Sequence, residues 1–325
     1  MNSTEAGFVQ GLEAQDDALG KEKARDVRFR WWVLGMAGLV LLVLGAIIAS
    51  LLIGSLPAFK AFGWHFLISK AWDPVSNDYG ALPAIYGTLV TSGIALLLAV
   101  PVSFFVAFFL TELCPRRLRG LVNGIIELLA GIPSIIYGMW GLFVLAPLLA
   151  EDVQPGLERM FHHVPVLNKL FAGPPIGIGL LPSALVLAVM IVPFITSVMR
   201  EVFEVVPQNL KEAGYGIGGT TWEVMWDVVL PYTRVAIVGG IMLGLGRALG
   251  ETMAVTFMIG NSNNVSPALF DSGNSIASVI ANEFAEASDP LHAAALTELG
   301  LILFVITLIV LAIARLLILR VERRS

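Results

Sequence analysis

The sequence predicts an all-α membrane protein with six transmembrane helices, and three observations predict it. Of 325 residues, 57% are hydrophobic and only 14% are charged, with a mean hydropathy of +0.82, whereas soluble chains carry roughly 25% charged residues. The apolar residues are gathered into blocks, most of them longer than the roughly 20 helical residues that cross a bilayer core. The basic residues also alternate in density between successive inter-block segments, the pattern expected when those segments lie on opposite sides of a membrane.

The blocks follow in order. Residues 31–59, 79–111 and 171–199 contain no charge; 120–150 contains only Glu127, and 235–270 only Arg247 and Glu251. The last block, 299–314, continues past Arg315 to Leu319, and an arginine near a helix end can turn its guanidinium toward the headgroups. The spans are therefore placed at 31–56, 83–111, 120–149, 178–199, 232–259 and 296–318. Helices of a soluble core would need polar faces, and these have almost none. The first block follows a polar stretch and exceeds the apolar core of a signal peptide. Residues 1–30 read as a disordered cytoplasmic tail, and residues 31–325 as the transmembrane domain.

Fifteen of the 20 Lys and Arg residues fall in the tail, at Arg116, Arg117 and Arg119, between Arg200 and Arg234, or at the C-terminus. Four, Lys60, Lys70, Arg159 and Lys169, fall in the opposite set of segments, and Arg247 lies within a span. The richer side is the cytoplasmic one, which places both termini in the cytoplasm.

Several function classes are excluded. The single Cys114 rules out an intrachain disulfide and a multi-cysteine metal site. His162 and His163 are adjacent, share no helix face and have no evident third ligand, so no metal is expected. The net charge of −5 and the absence of a basic face argue against nucleic acid. No Gly-x-x-x-x-Gly-Lys-Ser/Thr loop is present; even the glycine-rich stretch 214–221 lacks the lysine. With no nucleophile–base set either, the chain is not expected to be an enzyme.

The segment 201–231 is the most informative loop. Pro207 suits the first turn of a short helix, which continues through Ala213. Gly214, Gly216, Gly218 and Gly219 then permit tight turns. Thr220 and Glu223 have capping-box spacing, so a second short helix begins there, with Trp222, Met225, Trp226 and Val229 as its apolar stripe. Pro231 is expected to stop it before the fifth span. Such a loop either lies on the membrane surface or forms a knob that docks into a soluble partner.

These residues resemble the coupling loop of the permease subunits of bacterial ABC importers, whose signature is Glu-Ala-Ala, three residues, Gly, nine residues, Ile, one residue, Leu-Pro. Glu212, Ala213, Gly218, Leu230 and Pro231 match at that spacing; Gly214 stands for the second Ala and Val228 for Ile. The glycine lowers the intrinsic stability of the short helix by about 1 kcal/mol. GLGRALGETMAVTFMIGN from Gly244 and ELLAGIPSIIYGMWG from Glu127 are similar to the phosphate permeases of these importers. The resemblance implies a type I importer permease (MetI-like) fold in the inner membrane. It also implies a second, sister permease, two ATPase subunits that bind ATP and Mg, and a periplasmic phosphate-binding protein, with no cofactor in this chain. The sister phosphate permease, a permease for sulfate or molybdate, and a secondary transporter are the alternative readings.

Three ionisable residues fall within the expected spans. Arg247 lies about 18 Å along its helix from Val235, at 1.5 Å per residue, and Glu251 follows four residues later on the same face. Glu127 lies about 12 Å into the third helix by the same rise. Charges at such depth must be paired or hydrated. In one reading Arg247 meets the phosphate in the pathway and Glu251 limits how tightly it is held; in another the two form a packing pair; in a third the pairing is interhelical and includes Glu127. Gly244, Gly246 and Gly250 either allow close helix approach or leave room for an ion. Pro133 and Pro193 are expected to kink the third and fourth helices.

Overall fold

The computed structural model describes residues 3–322, which are almost entirely helical, with one two-stranded hairpin pairing Trp72–Asp73 antiparallel to Asp78–Tyr79. Among the described residues six helical stretches are long and apolar enough to cross a membrane: Asp26–Phe62, Leu82–Leu113, Ser134–Phe161, Leu180–Glu204, Thr221–Leu249 and Pro290–Leu316. The six-span expectation holds, and the chain is a multi-pass membrane protein. Of the basic residues in the sidedness pattern, Arg323 and Arg324 lie outside the described residues, as do the side chains at 21, 23, 25 and 320.

Of the described residues, 3–53 form one unit, within the helix Ser3–Phe62. The backbone is helical from Ser3, where a disordered tail was expected over 1–30. Glu, Ala, Gln, Lys and Leu, with no proline before Pro57, supply the helical propensity. Trp31, Trp32 and Leu41 are exposed apolar residues of this unit, as a lipid-facing helix requires.

Residues 54–325 form the second unit, built on the second and fourth spans, which share the largest helix–helix contact. The second span presents buried Ala95, Ala99, Ser103 and Ala107, small residues that let two backbones approach. Ser103 Oγ donates to the Val192 carbonyl of the fourth span at 3.1 Å. Leu187, Ile191, Ile195 and Met199 fill the core beside them. The fifth span packs on both helices and on the sixth.

Two boundaries differ from the sequence expectation. The third span is not 120–149. Residues Arg116–Ala130 form a separate amphipathic helix packed on the fourth span. The chain then breaks at 131–133, and the third span starts at Ser134. Pro133 cannot continue the ladder and pushes Ile132 out of helical geometry, so it makes a break where a kink was expected. Tyr137 Oη clasps the break by donating to the Leu129 carbonyl at 2.8 Å. Pro193, by contrast, lies within the continuous helix Leu180–Glu204.

The fifth span is not 232–259. It begins at Thr221 and runs through Pro231, because a wide π-type turn over Met225–Val229 precedes the proline and accommodates its ring and missing N–H. It ends at Leu249, and a short helix, Met253–Met258, follows a break at 250–252. The inner-loop region 201–231 therefore includes the first turns of this span.

Beyond the outer ends of the spans, Glu283 holds the hairpin down. Its carboxylate accepts from Trp72 Nε1 at 2.9 and 3.1 Å and lies 3.0 Å from His292 Nε2. The His292 ring stacks on Tyr79, 5.3 Å between centroids. Burial, then the nearby charges of Asp289, Glu283 and Asp73, push the Tyr79 hydroxyl above its ordinary pKa.

Candidate functional site

The inner end of the molecule carries the knob. Pro207 caps the helix Gln208–Gly216, and Gly218 follows with φ +91. Only glycine takes that region without strain, and of the four glycines in the turn Gly218 alone adopts it. The expected capping box is present: Glu223 N donates to Thr220 Oγ1 at 3.3 Å and Thr220 N to Glu223 Oε2 at 2.8 Å. Gly214 marks the contact between the two short helices, since a β-carbon there would sit 3.0 Å from Val224 Cγ2. Leu230 packs on the core, while Glu212, Ala213 and Pro231 are exposed and Ile217 at the tip is 91% exposed. The loop thus exposes both an apolar tip, Ile217, and an acid, Glu212.

One residue of the knob points inward. Lys211 is buried, and its Nζ lies 2.6 Å from Glu112 Oε1 at the inner end of the second span. The sequence reading missed both residues. The available signal was a lysine and a glutamate at two membrane-edge positions, which sequence spacing alone does not pair.

The helix Met253–Met258, which follows the break at 250–252, packs against the third span, and a β-carbon on Gly138 would sit 3.0 Å from Ala254 Cα. Arg247 occupies the last turn of its helix, exposed, with its guanidinium 5.8 Å from the centre of the Phe194 ring, within cation–π range. Glu251 is not on a continuous helix face with Arg247, because the helix has ended. Its Oε1 instead accepts from Ala254 N at 3.2 Å, capping the next helix. Among the described residues no ion pair joins Arg247 to Glu251. Glu127 is not within the third span either. It lies near the end of Arg116–Ala130, exposed, with Oε1 3.6 Å from Arg200 Nη2. The structure thus brings Arg247 and Glu251 to the same break and leaves Glu127 on a different helix.

An open, almost wholly apolar cavity of about 610 Å³ is lined by Val102, Leu129, Tyr137, Trp140, Val189 and Pro193 among others. The three glycines near Arg247 separate by use. A β-carbon on Gly244 would collide with Ile195, 2.7 Å away, whereas Gly246 faces open space and Gly250 meets only the Gly246 carbonyl at 3.7 Å. Among the described residues no group of three or more His, Cys, Asp or Glu is placed to hold a metal ion.

Comparison with known proteins bears on the family and the fold. Residues 99–323 match the family described as binding-protein-dependent transport system inner membrane component. The chain is 55% identical over its full length, and 99% of the other's, to the phosphate transport system permease protein PstC of Mesorhizobium japonicum. It is 57% identical to the protein of that name from Pasteurella multocida, over 92% of this chain and 93% of the other. Two solved structures share the fold. A bacterial ABC transporter that imports the acidic polysaccharide alginate superposes with a TM-score of 0.56 at 18% identity, over 90% of this chain and 97% of that one. The inward-facing methionine transporter MetNI gives 0.54 at 15%, over 73% and 94%.

Proposed function

Because the chain belongs to the family of binding-protein-dependent transport system inner membrane components, we propose that it is the permease subunit of an ATP-driven importer of inorganic phosphate. End-to-end likeness to phosphate permeases carries the substrate assignment. ABC importers of this kind combine permease, ATPase and substrate-binding protein. Here the partners are a sister permease, two ATPase subunits that hold ATP and Mg, and a periplasmic phosphate-binding protein. The chain itself supplies the pathway and the coupling surface.

The proposed mechanism assigns roles by position. The loop 201–231 receives motion from an ATPase subunit, with Ile217 and Glu212 exposed for docking. The basic residues place that loop and both termini in the cytoplasm. Arg247 offers a planar guanidinium to phosphate oxygens in the turn before the break at 250–252, beside the open space over Gly246. Glu251, capping the neighbouring helix, keeps a negative charge close enough to weaken retention of the anion. Glu127 guards the inner end of the route. Purified complex in vesicles, supplied with ATP inside and the binding protein outside, should accumulate phosphate in preference to sulfate and molybdate. Equal or greater uptake of either competitor would reassign the substrate. Uptake that follows an ion gradient without ATP would replace the class.

A further inference from the structure

The apolar cavity ends, at Thr196 and Ile126, on a second and different space. A narrow cleft between the helix Arg116–Ala130 and the fourth span is lined by Asn123, Glu127, Thr196, Ser197 and Arg200. Two of its polar atoms are buried and unpartnered. Thr196 is only 1% exposed, and its Oγ1 makes no hydrogen bond; neither does Asn123 Oδ1. Buried polar atoms without partners are rare and costly, and here both line one cleft beside a guanidinium. Arg200 is itself loosely held, through Nη2 alone, by Glu127 at 3.6 Å and Glu201 at 4.0 Å, and both carboxylates are largely exposed.

We propose that this cleft is a second oxyanion site, on the cytoplasmic exit of the pathway, selective for a phosphate that still carries a proton. The assignment rests on the reading of the chain as a phosphate permease and adds a station that reading does not contain. The donor set gives the selectivity. The Arg200 guanidinium and the Thr196 hydroxyl donate to P–O oxygens, while Asn123 Oδ1, as the amide is oriented, accepts from a P–OH donor. Monohydrogen and dihydrogen phosphate have that donor; sulfate at neutral pH does not. A membrane phosphodiester shares the oxygens but also lacks the proton, whereas phosphatidic acid has both. The cleft is too narrow for a water molecule as it stands. Entry therefore requires the helix Arg116–Ala130 to part from the fourth span, and Glu127, which rides on that helix, then leaves Arg200 as the anion takes its place.

The test uses the complete complex in phosphatidylcholine nanodiscs, with Cys114→Ser and Ser197→Cys. The rate at which an impermeant maleimide labels position 197 is measured with inorganic phosphate, with sulfate, and in discs containing phosphatidic acid without added anion. Phosphate should slow labelling at least fivefold, sulfate less than twofold, and Arg200→Gln or Thr196→Val should remove the protection while membrane abundance is kept. Equal protection by sulfate would overturn the selectivity. No protection by phosphate, or protection by phosphatidic acid alone, would overturn the site. The assay reads binding, not uptake. A complex that shows phosphate protection yet carries no phosphate would reject the transport reading and keep the cleft; one that carries phosphate without protection would do the reverse.

Discussion

Lys211 and Glu112 meet at 2.6 Å with side chains only 10% and 11% exposed, and this pair is the charged link between the knob helix and the second span. The second span in turn shares the largest helix contact with the fourth, whose Phe194 lies under Arg247. Removing one partner of a buried pair leaves a desolvated charge and costs about 3–5 kcal/mol. Lys211→Met should therefore lower stability and reduce phosphate moved per ATP hydrolysed. The exchanged pair, Lys211→Glu with Glu112→Lys, should recover much of both. Thermal unfolding together with the transport-to-hydrolysis ratio checks this. An unchanged ratio in Lys211→Met would remove the pair from coupling.

Gly218 sits at φ +91 with open space where a β-carbon would go, so backbone strain rather than collision decides its replacement. A non-glycine residue held there pays on the order of 1–3 kcal/mol. Gly218→Val should leave the chain in the membrane and reduce ATPase co-purification, and Glu212→Ala should do the same by removing the exposed acid. Full yield of ATPase with both variants would show that docking uses neither residue.

Arg247 has no ion pair with Glu251 in this conformation, which weakens the packing-pair reading. Arg247→Ala should keep assembly and lose at least tenfold in uptake. Arg247→Lys should retain part of it, since the charge stays and the planar pair of donors goes. The double variant Arg247→Gln with Glu251→Gln should assemble without transporting. Near-normal initial uptake by the assembled double variant would show that the anion does not need the guanidinium.

Gly244 and Gly246 predict opposite outcomes for the same change. Gly244→Ala must displace Ile195 from a packed interface, where added volume typically costs about 1–3 kcal/mol. Gly246→Ala meets nothing within 4 Å and gains roughly 1 kcal/mol of helix propensity. Thermal unfolding in detergent should separate the two. Equal stability would show that the fifth and fourth spans part at no cost near Ile195.

What the sequence determined was whatever depends on local composition. Charge-poor blocks specify membrane spans because no soluble exterior can be built from them. Thr220 and Glu223 specify a capping box because its partners are three residues apart. The glycines at 214–219 permit a left-handed turn because they carry no β-carbon to strain it, and the structure places that turn at Gly218. What the tertiary structure decided was where continuous apolar runs stop being continuous. Residues 120–150 look like one span, but Pro133 splits them and Tyr137 ties the parts together. Residues 235–270 look like another, but the chain breaks at 250–252, and Glu251 turns to cap the next helix instead of meeting Arg247. Hydropathy is indifferent to such breaks, since both sides of each are apolar. The surroundings of Lys211, Glu127 and Thr196 were equally out of reach of spacing rules. Glu112, Arg200 and the polar cleft come to them across helix contacts, and distance along the chain carries no record of those.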